Sequence, residues 1–282
     1  MPFTEVAPRV WVAHYDFIDI NIGLVGGERG LVVVDTYASA PLARQVIDDV
    51  RALGAGEVVG VVNTHEHFDH TFGNGTFRQE YGDVPIHATE EAAARTVLSG
   101  DGWKARSEQY DDPHVPGIRA TEIVPADHTF SSAAVIDLGD RLVELVHPGR
   151  GHTGGDLLVR IDDADVLLAG DLVEESGPPA FGADCFPLDW PQTLDVATGL
   201  LTSGTVVVPG HGALVDRAFV LDQRVEIGMV AATIRDLAAR GVRADDALDA
   251  ADEWPFDKDR LEHAVRRGYE HLGPGDRRLP LL

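Results

Sequence analysis

Between Asn63 and His70 the chain reads Asn-Thr-His-Glu-His-Phe-Asp-His, placing four ligand-type side chains, His65, His67, Asp69 and His70, within six positions. The apolar run Val58-Val59-Gly60-Val61-Val62 precedes them, and the turn-forming Gly73-Asn74-Gly75 follows. An unpaired polar group at the mouth of a buried strand costs roughly 2–7 kcal/mol, and a metal ion is the simplest way to satisfy several at once. A zinc-protease helix would need His-Glu-x-x-His, but the position four after His65 is Asp69. The residues fall instead into two pairs, His65 with His67 and Asp69 with His70. That division points to two metals rather than one.

The donor types narrow the chemistry. Imidazole and carboxylate suit zinc, and also iron or manganese, and no thiolate is offered. Two cations about 3.5–4 Å apart can share a water and bring its pKa towards neutrality, giving a hydrolytic nucleophile without a separate base.

These residues need strands to deliver them. Val10–Ala13 and Ile18–Val25 read as strands, the second with Ile18, Ile20, Ile22 and Leu24 alternating against Asp19, Asn21, Gly23 and Val25, as if one face were buried. Gly26–Gly30 reads as a turn, Leu31–Val34 as a short buried strand ending at Asp35, and Pro41–Leu53 as a helix closed by Gly54. Asp35 suits either a hydrogen-bond partner for a ligand histidine or a cap or turn role. Val58–Val62 delivers the histidine motif. Phe72–Tyr81 and Thr89–Leu98 read as helices flanking a strand at Val84–Ala88. Glycines and prolines make residues 99–119 look like a long loop, a length common in lids and binding loops. Further strands are expected at Thr121–Val124, Ala133–Asp137, Leu142–His147, Asp156–Ile161, Val166–Ala169 and Val206–Val208. Three of them open onto ligand-bearing loops: Gly149–Asp156 with His152, Gly170-Asp171-Leu172, and Pro209-Gly210-His211-Gly212. Residues 174–189 read as irregular loop and Gln192–Leu201 as helix. After Asp216, Val220, Ile227, Val230, Ile234 and Leu237 form a helical apolar seam ended by Gly241, and a last helix is expected over Asp257–Leu272.

Composition bounds the setting. The chain has 282 residues and is 44% hydrophobic, ordinary for a globular protein. It has no run of the roughly 18 apolar residues that a membrane helix needs. The first residues lack the basic start and apolar core of a secretory signal, so a cytoplasmic protein is expected. Cys185 is the only cysteine, which excludes an intrachain disulfide and cysteine-rich zinc modules and suits a buried hydrophobe. A net charge of −24 would repel nucleic acid and anionic membranes, leaving a small-molecule substrate as the expected partner. The C-terminal seam could cover a sheet or pair with a second copy. There is no Gly-x-Ser-x-Gly elbow, Walker A loop or Cys-x-x-Cys.

His65-Glu66-His67-Phe68-Asp69-His70, Gly151-His152-Thr153, Gly170-Asp171 and Gly210-His211-Gly212, in this order and each at a strand end, resemble the metallo-β-lactamase superfamily. The resemblance spans about residues 10–215. It implies an α/β (α+β) architecture, a four-layer αββα sandwich with C-terminal helices: residues 1–215 as the family domain, 216–282 as a helical segment packed on it. It further implies His65, His67 and His152 on a first metal, Asp69, His70 and His211 on a second, and Asp171 bridging both. The expected activity is metal-dependent hydrolysis of a small ester, lactone, thioester or related bond by a bridging hydroxide, with zinc the leading metal and Asp69 orienting the water and taking its proton. Phe181, Phe186 and Trp190 are expected to wall the substrate pocket, and His114 to reach it from the 99–119 loop. Departures refine this reading. True β-lactamases of the family often carry cysteine, or in one branch serine, where this chain has Asp171, which argues against β-lactam hydrolysis as its task. The flavin-linked diiron branch carries glutamate where this chain has His67. Two alternatives remain open: a single-iron persulfide-type dioxygenase, and a member that binds metal without turnover.

Overall fold

A computed structural model describes residues 3–273. The strands are β1 (Phe3–Ala7), β2 (Val10–Tyr15), β3 (Ile20–Gly27), β4 (Gly30–Val34), β5 (Val58–Val62), β6 (Ile86–Thr89), β7 (His128–Phe130), β8 (Ala133–Asp137), β9 (Leu142–Val146), β10 (Leu158–Ile161), β11 (Val166–Glu174) and β12 (Val206–His211). The helices are α1 (Ala40–Leu53), α2 (Phe68–Thr71), α3 (Asn74–Tyr81), α4 (Glu90–Arg106), α5 (Val115–Ala120), α6 (Trp190–Gly199), α7 (Arg217–Ala239), α8 (Ala244–Ala250) and α9 (Glu262–His271).

The strands form two arms. In one, β1 to β4 pair antiparallel in sequence order, and β4 to β7 pair parallel. In the other, β12 pairs parallel with β11, and β11, β10, β9 and β8 follow antiparallel. A single pairing, His211 with Ile20, joins the arms. Three apolar cores show the layering. Val12, Val25, Val32 and Val62 of the first arm meet Val143, Leu145, Val159 and Leu168 of the second. The outer face of the first arm packs on Leu42, Val46, Ile47 and Val50 of α1. The outer face of the second packs on Leu194 of α6 and on Val220, Ile227, Val230, Ile234 and Leu237 of α7. The order is therefore helix, sheet, sheet, helix, the expected α/β sandwich. Each such side chain contributes about 1.5–3 kcal/mol when fully buried. The α7 seam covers a sheet, and residues 274–282 of the predicted C-terminal segment lie outside the described residues.

Local signals explain the well-placed elements. In α1 the Ser39 side chain accepts from the Leu42 amide at the N-cap, and Gly54 closes the helix at φ 67°. Gly241, at φ 77°, follows α7.

Four expectations need correction. Residues 99–119 are not a loop: α4 runs on to Arg106, and α5 covers Val115–Ala120. Gly100 sits inside α4 because a Cβ there would stand 2.7 Å from the Phe72 ring and from Ile123. There glycine marks close packing rather than a chain break. No strand forms at Thr121–Val124; the pairing with β6 is made by β7 instead. β3 is buried on both faces, not one, because it lies where the two arms join. β1 and α8 carried too little periodicity to be foreseen, and β11 continues past Ala169 to Glu174. Among the described residues no helix is long and apolar enough to cross a membrane.

Candidate metal centre

Four strand ends meet at the seam between the arms. β5 leads into Asn63, whose side chain donates to the His70 carbonyl at 3.2 Å and to Asn74 Oδ1 at 3.0 Å, so the motif is tied down at both ends. The single turn of α2 then turns Asp69 and His70 inward, held by Thr71 Oγ1 donating to the His67 carbonyl at 2.9 Å. The His152 loop is fastened by buried Asp156, which accepts from the Thr153 amide at 3.0 Å and from Thr153 Oγ1 at 2.7 Å. Asp171 follows Gly170, whose backbone at φ 52° passes against Thr64. His211 follows Gly210, and the Asn21 side chain holds that loop by donating to the Pro209 and Gly212 carbonyls at 3.0 and 2.8 Å.

The side chains form two groups whose donor atoms lie within 4.8 Å of one another: His65, His67, His152 and Asp171 in the first, Asp69, His70 and His211 in the second. Asp171 spans them. Its Oδ2 is 3.7 Å from His65 Nε2 and 3.4 Å from His152 Nε2. Its Oδ1 is 3.2 Å from His70 Nε2 and 3.4 Å from His211 Nε2. Asp69 Oδ2 stands 3.4 Å from His211 Nε2 and 3.7 Å from His70 Nε2.

The rear partners fix what the inward atoms are. His70 Nδ1 faces Asp35 Oδ2 at 2.8 Å, His152 Nδ1 the Ala180 carbonyl at 2.9 Å, and His211 Nδ1 the Ile18 carbonyl at 2.7 Å. His67 presents Nε2 to Asp184 Oδ2 at 3.1 Å. His65 Nδ1 faces Thr64 Oγ1 at 3.1 Å, and that hydroxyl donates onward to Asp35 Oδ2 at 2.9 Å. Every rear atom is an acceptor, so each neutral ring carries its proton at the back and a lone pair in front. His67 Nδ1 and His152 Nε2 stand 2.9 Å apart, so with both rings neutral two lone pairs meet there unless a proton or a cation lies between them. Buried His65 Nε2, His70 Nε2 and Asp171 Oδ1 have no hydrogen-bond partner. Five imidazole lone pairs and two carboxylates aimed at one small space repel unless cations occupy it, and the donor set is one that zinc, iron or manganese accepts.

Protons can do part of the same work. Burial disfavours charge on His211, but Asp171 and Asp69 outweigh it and push its pKa up to about 12. Burial likewise opposes charge on His67, and Asp184 overcomes it, lifting the ring to about 9. His152, with burial dominant, drops to about 4. Burial, with Asp171 adding to it, raises the Glu174 carboxyl to about 7.

The cluster opens into a cavity of about 980 Å³, within the upper range of small-molecule sites. Phe181 is on its lining. Trp190 is not: it is fully buried, donates from Nε1 to the Leu172 carbonyl at 3.2 Å, and packs edge-on to His152 at 5.8 Å, supporting that loop from behind. Phe186 also faces away, stacked on His271 at 4.7 Å with the Arg150 guanidinium over its ring. His114 packs on Phe17 at 4.2 Å, because α5 holds it outside the cavity wall. The sequence reading missed Asp184, Glu174, Phe68 and Trp103. Glu174 makes a further buried ligand-type group with Asp171 and His211. Phe68 shares the motif segment and could have been noticed; Asp184 and Trp103 come from segments with no visible periodic or motif signal.

Comparison with known proteins identifies the family and the fold. A family model described as the metallo-beta-lactamase superfamily matches residues 15–215. The chain is 26% identical over 226 residues to a metallo-beta-lactamase type 2 of Bacillus sp. (strain 170), covering 77% of this chain and 79% of that protein. It is 25% identical over 195 residues to the Bacillus cereus metallo-beta-lactamase type 2, covering 68% and 67%. Among solved structures, the metallo-beta-lactamase FIM-1 from Pseudomonas aeruginosa, in a mono-zinc form, superposes with a TM-score of 0.64 at 19% identity, covering 81% of this chain and 95% of that one.

Proposed function

Because the chain belongs to the metallo-beta-lactamase superfamily, we propose that it is a hydrolase holding two divalent cations, zinc foremost, and cleaving a small ester, lactone, thioester or related bond. The observation that carries this reading is Asp171, whose two oxygens face two different histidine groups. A carboxylate so placed suits a bridge between two cations better than a ligand to one.

His65, His67 and His152 would hold the first cation, Asp69, His70 and His211 the second, with Asp171 shared. When bound, such a pair supplies Lewis acidity and a water acidified towards neutral pH. The chain's own groups do the rest. Asp69, with 13% of its side chain exposed, borders the cavity; Oδ2 faces His70 and His211, which leaves its other carboxylate oxygen to accept the proton lost by the attacking water. Phe181, Phe68 and Trp103 present apolar walls that position the substrate and thin the water around the reacting bond. The buried rear partners hold each imidazole in one tautomer. With aspartate at position 171, β-lactams are poor candidates for the natural substrate.

The test is a panel of esters, lactones, thioesters, phosphodiesters and a β-lactam, assayed with zinc-loaded protein and after chelation. Turnover of an ester, lactone or thioester that chelation abolishes and zinc restores is expected. Two tightly held metals with no turnover across the panel would refute hydrolysis, and one iron per chain with oxygen uptake would point to the dioxygenase instead.

A further inference from the structure

Asp and Glu number 47 against 23 Lys and Arg, so a guanidinium in this protein has carboxylates in excess around it. Most described arginines do pair with one, as Arg9 does with Asp140, Arg141 with Asp163 and Arg224 with Asp195. Arg106, Arg217, Arg235 and Arg260 are the described arginines with no carboxylate within 4.0 Å. Two of these, Arg106 at the end of α4 and Arg260 just before α9, line the same cavity as the histidine cluster. They come from distant parts of the chain, and Asp259 and Glu262, also on the cavity lining, pair with neither. Arg217 and Arg235 show that an unpaired arginine is unremarkable on open surface. Convergence of two on one concave site is different, because each guanidinium presents a planar fork of N–H donors matched to carboxylate or phosphate. The cavity also carries the Phe68 and Trp103 rings, stacked at 4.0 Å and 24°.

Resting on the reading of this cavity as the hydrolytic site, we propose that the substrate carries an anionic group, a carboxylate or phosphate, remote from the bond cleaved. Arg106 and Arg260 hold that group, and the apolar part of the substrate lies against Phe68 and Trp103. Arg95 also lines the cavity but is held by Glu66 and Glu91, so Arg106 and Arg260 are the lining arginines left to receive an anion. The arginines act on binding and orientation; the hydrolytic step, water adding across the acyl bond to give acid and alcohol or thiol, is the one already described.

The test uses the zinc-loaded full chain and 4-nitrophenyl esters whose acyl chains differ only in ending in methyl, carboxylate or phosphate. One anionic ester should exceed the methyl-ended ester in kcat/KM by about tenfold or more, as expected for a hydrogen bond to a charged group. The R106Q/R260Q double variant should bring that ratio close to one, and R106K/R260K should restore part of it. The carboxylate and phosphate arms identify the anion. A ratio unchanged by the double variant, or one favouring the methyl-ended ester, would overturn the proposal. If no ester is hydrolysed, the hydrolase reading fails separately and binding decides. Calorimetry with 3-phenylpropanoate, phenyl phosphate and neutral 3-phenylpropanol should then show anion binding weakened about tenfold by R106Q/R260Q. Equal anion affinity in both proteins would mean that the cations alone attract the anion, which also overturns it.

Discussion

Replacing Asp35 by asparagine removes one charge and one acceptor while leaving the backbone at ease, since the residue sits at φ 66°, a region asparagine tolerates. In the native protein Asp35 Oδ1 accepts from the Thr64 amide at 2.8 Å, and Oδ2 accepts from Thr64 Oγ1 at 2.9 Å and His70 Nδ1 at 2.8 Å. An amide has a single oxygen. Whichever way it turns, its NH2 meets a donor, and at least one buried donor loses its acceptor, at about 1–3 kcal/mol. If that donor is His70 Nδ1, the ring can move its proton to Nε2 and take its lone pair away from the second cation group. Loss of such a rear partner weakens metal affinity by about 10–100-fold. Equilibrium competition with a chromophoric chelator should therefore show one weakened site and one near wild type. Thermal unfolding of the zinc-loaded protein should fall by roughly 4 °C for 2 kcal/mol. Two sites each within about twofold of wild type would refute the inference that Asp35 sets the His70 ring, since the expected change is at least tenfold.

Other outcomes follow from the same geometry. His152→Ala should cost the first metal equivalent and His211→Ala the second, whereas Asp171→Ala should weaken both, as read by elemental analysis after desalting; Asp171→Ala affecting one site alone would contradict the bridge. Gly210→Ala should lower metal content and turnover with little change in secondary structure by circular dichroism, because the added Cβ would collide with Asp171 Oδ1; full zinc loading in this variant would contradict that packing. In metal-free protein, burial opposes charge on His67 but Asp184 holds the ring at about 9, so its contribution to stability is full below the unfolded value of about 6.5 and is lost as pH rises through 9. The melting temperature of metal-free protein should thus fall from pH 7 to 9.5 while zinc affinity rises as the proton is displaced, and a flat affinity profile would contradict the competition.

The histidine motif was legible from its spacing after an apolar strand, and His152, Asp171 and His211 from the segments that resemble the family, although Asp171 lies inside β11 and His152 in the loop beyond β9. The histidine motif holds its register through local hydrogen bonds, so spacing alone carried much of its geometry. What supports the cluster was hidden for identifiable reasons. Asp184 and the Ala180 carbonyl sit in an irregular loop whose path is fixed by contacts far along the chain, such as Arg267 Nε donating to the Cys185 carbonyl at 3.2 Å and Phe186 stacking on His271. Composition placed Phe186 and Trp190 near the cavity, but an aromatic ring in a loop serves equally well as an anchor, and both are anchors here. The wall formed by α4 was obscured by Gly100 and Gly102, which propensity reads as breaks. Gly100 is required instead by the Phe72 ring beside it. The double burial of β3 depends on the second arm folding back over it, a contact between distant segments that local alternation does not record.

Elemental analysis of the purified chain, loaded with excess zinc and then desalted, tests the paired centre most directly. Two zinc ions per chain are predicted, and a stoichiometry of one or none at saturation would contradict it.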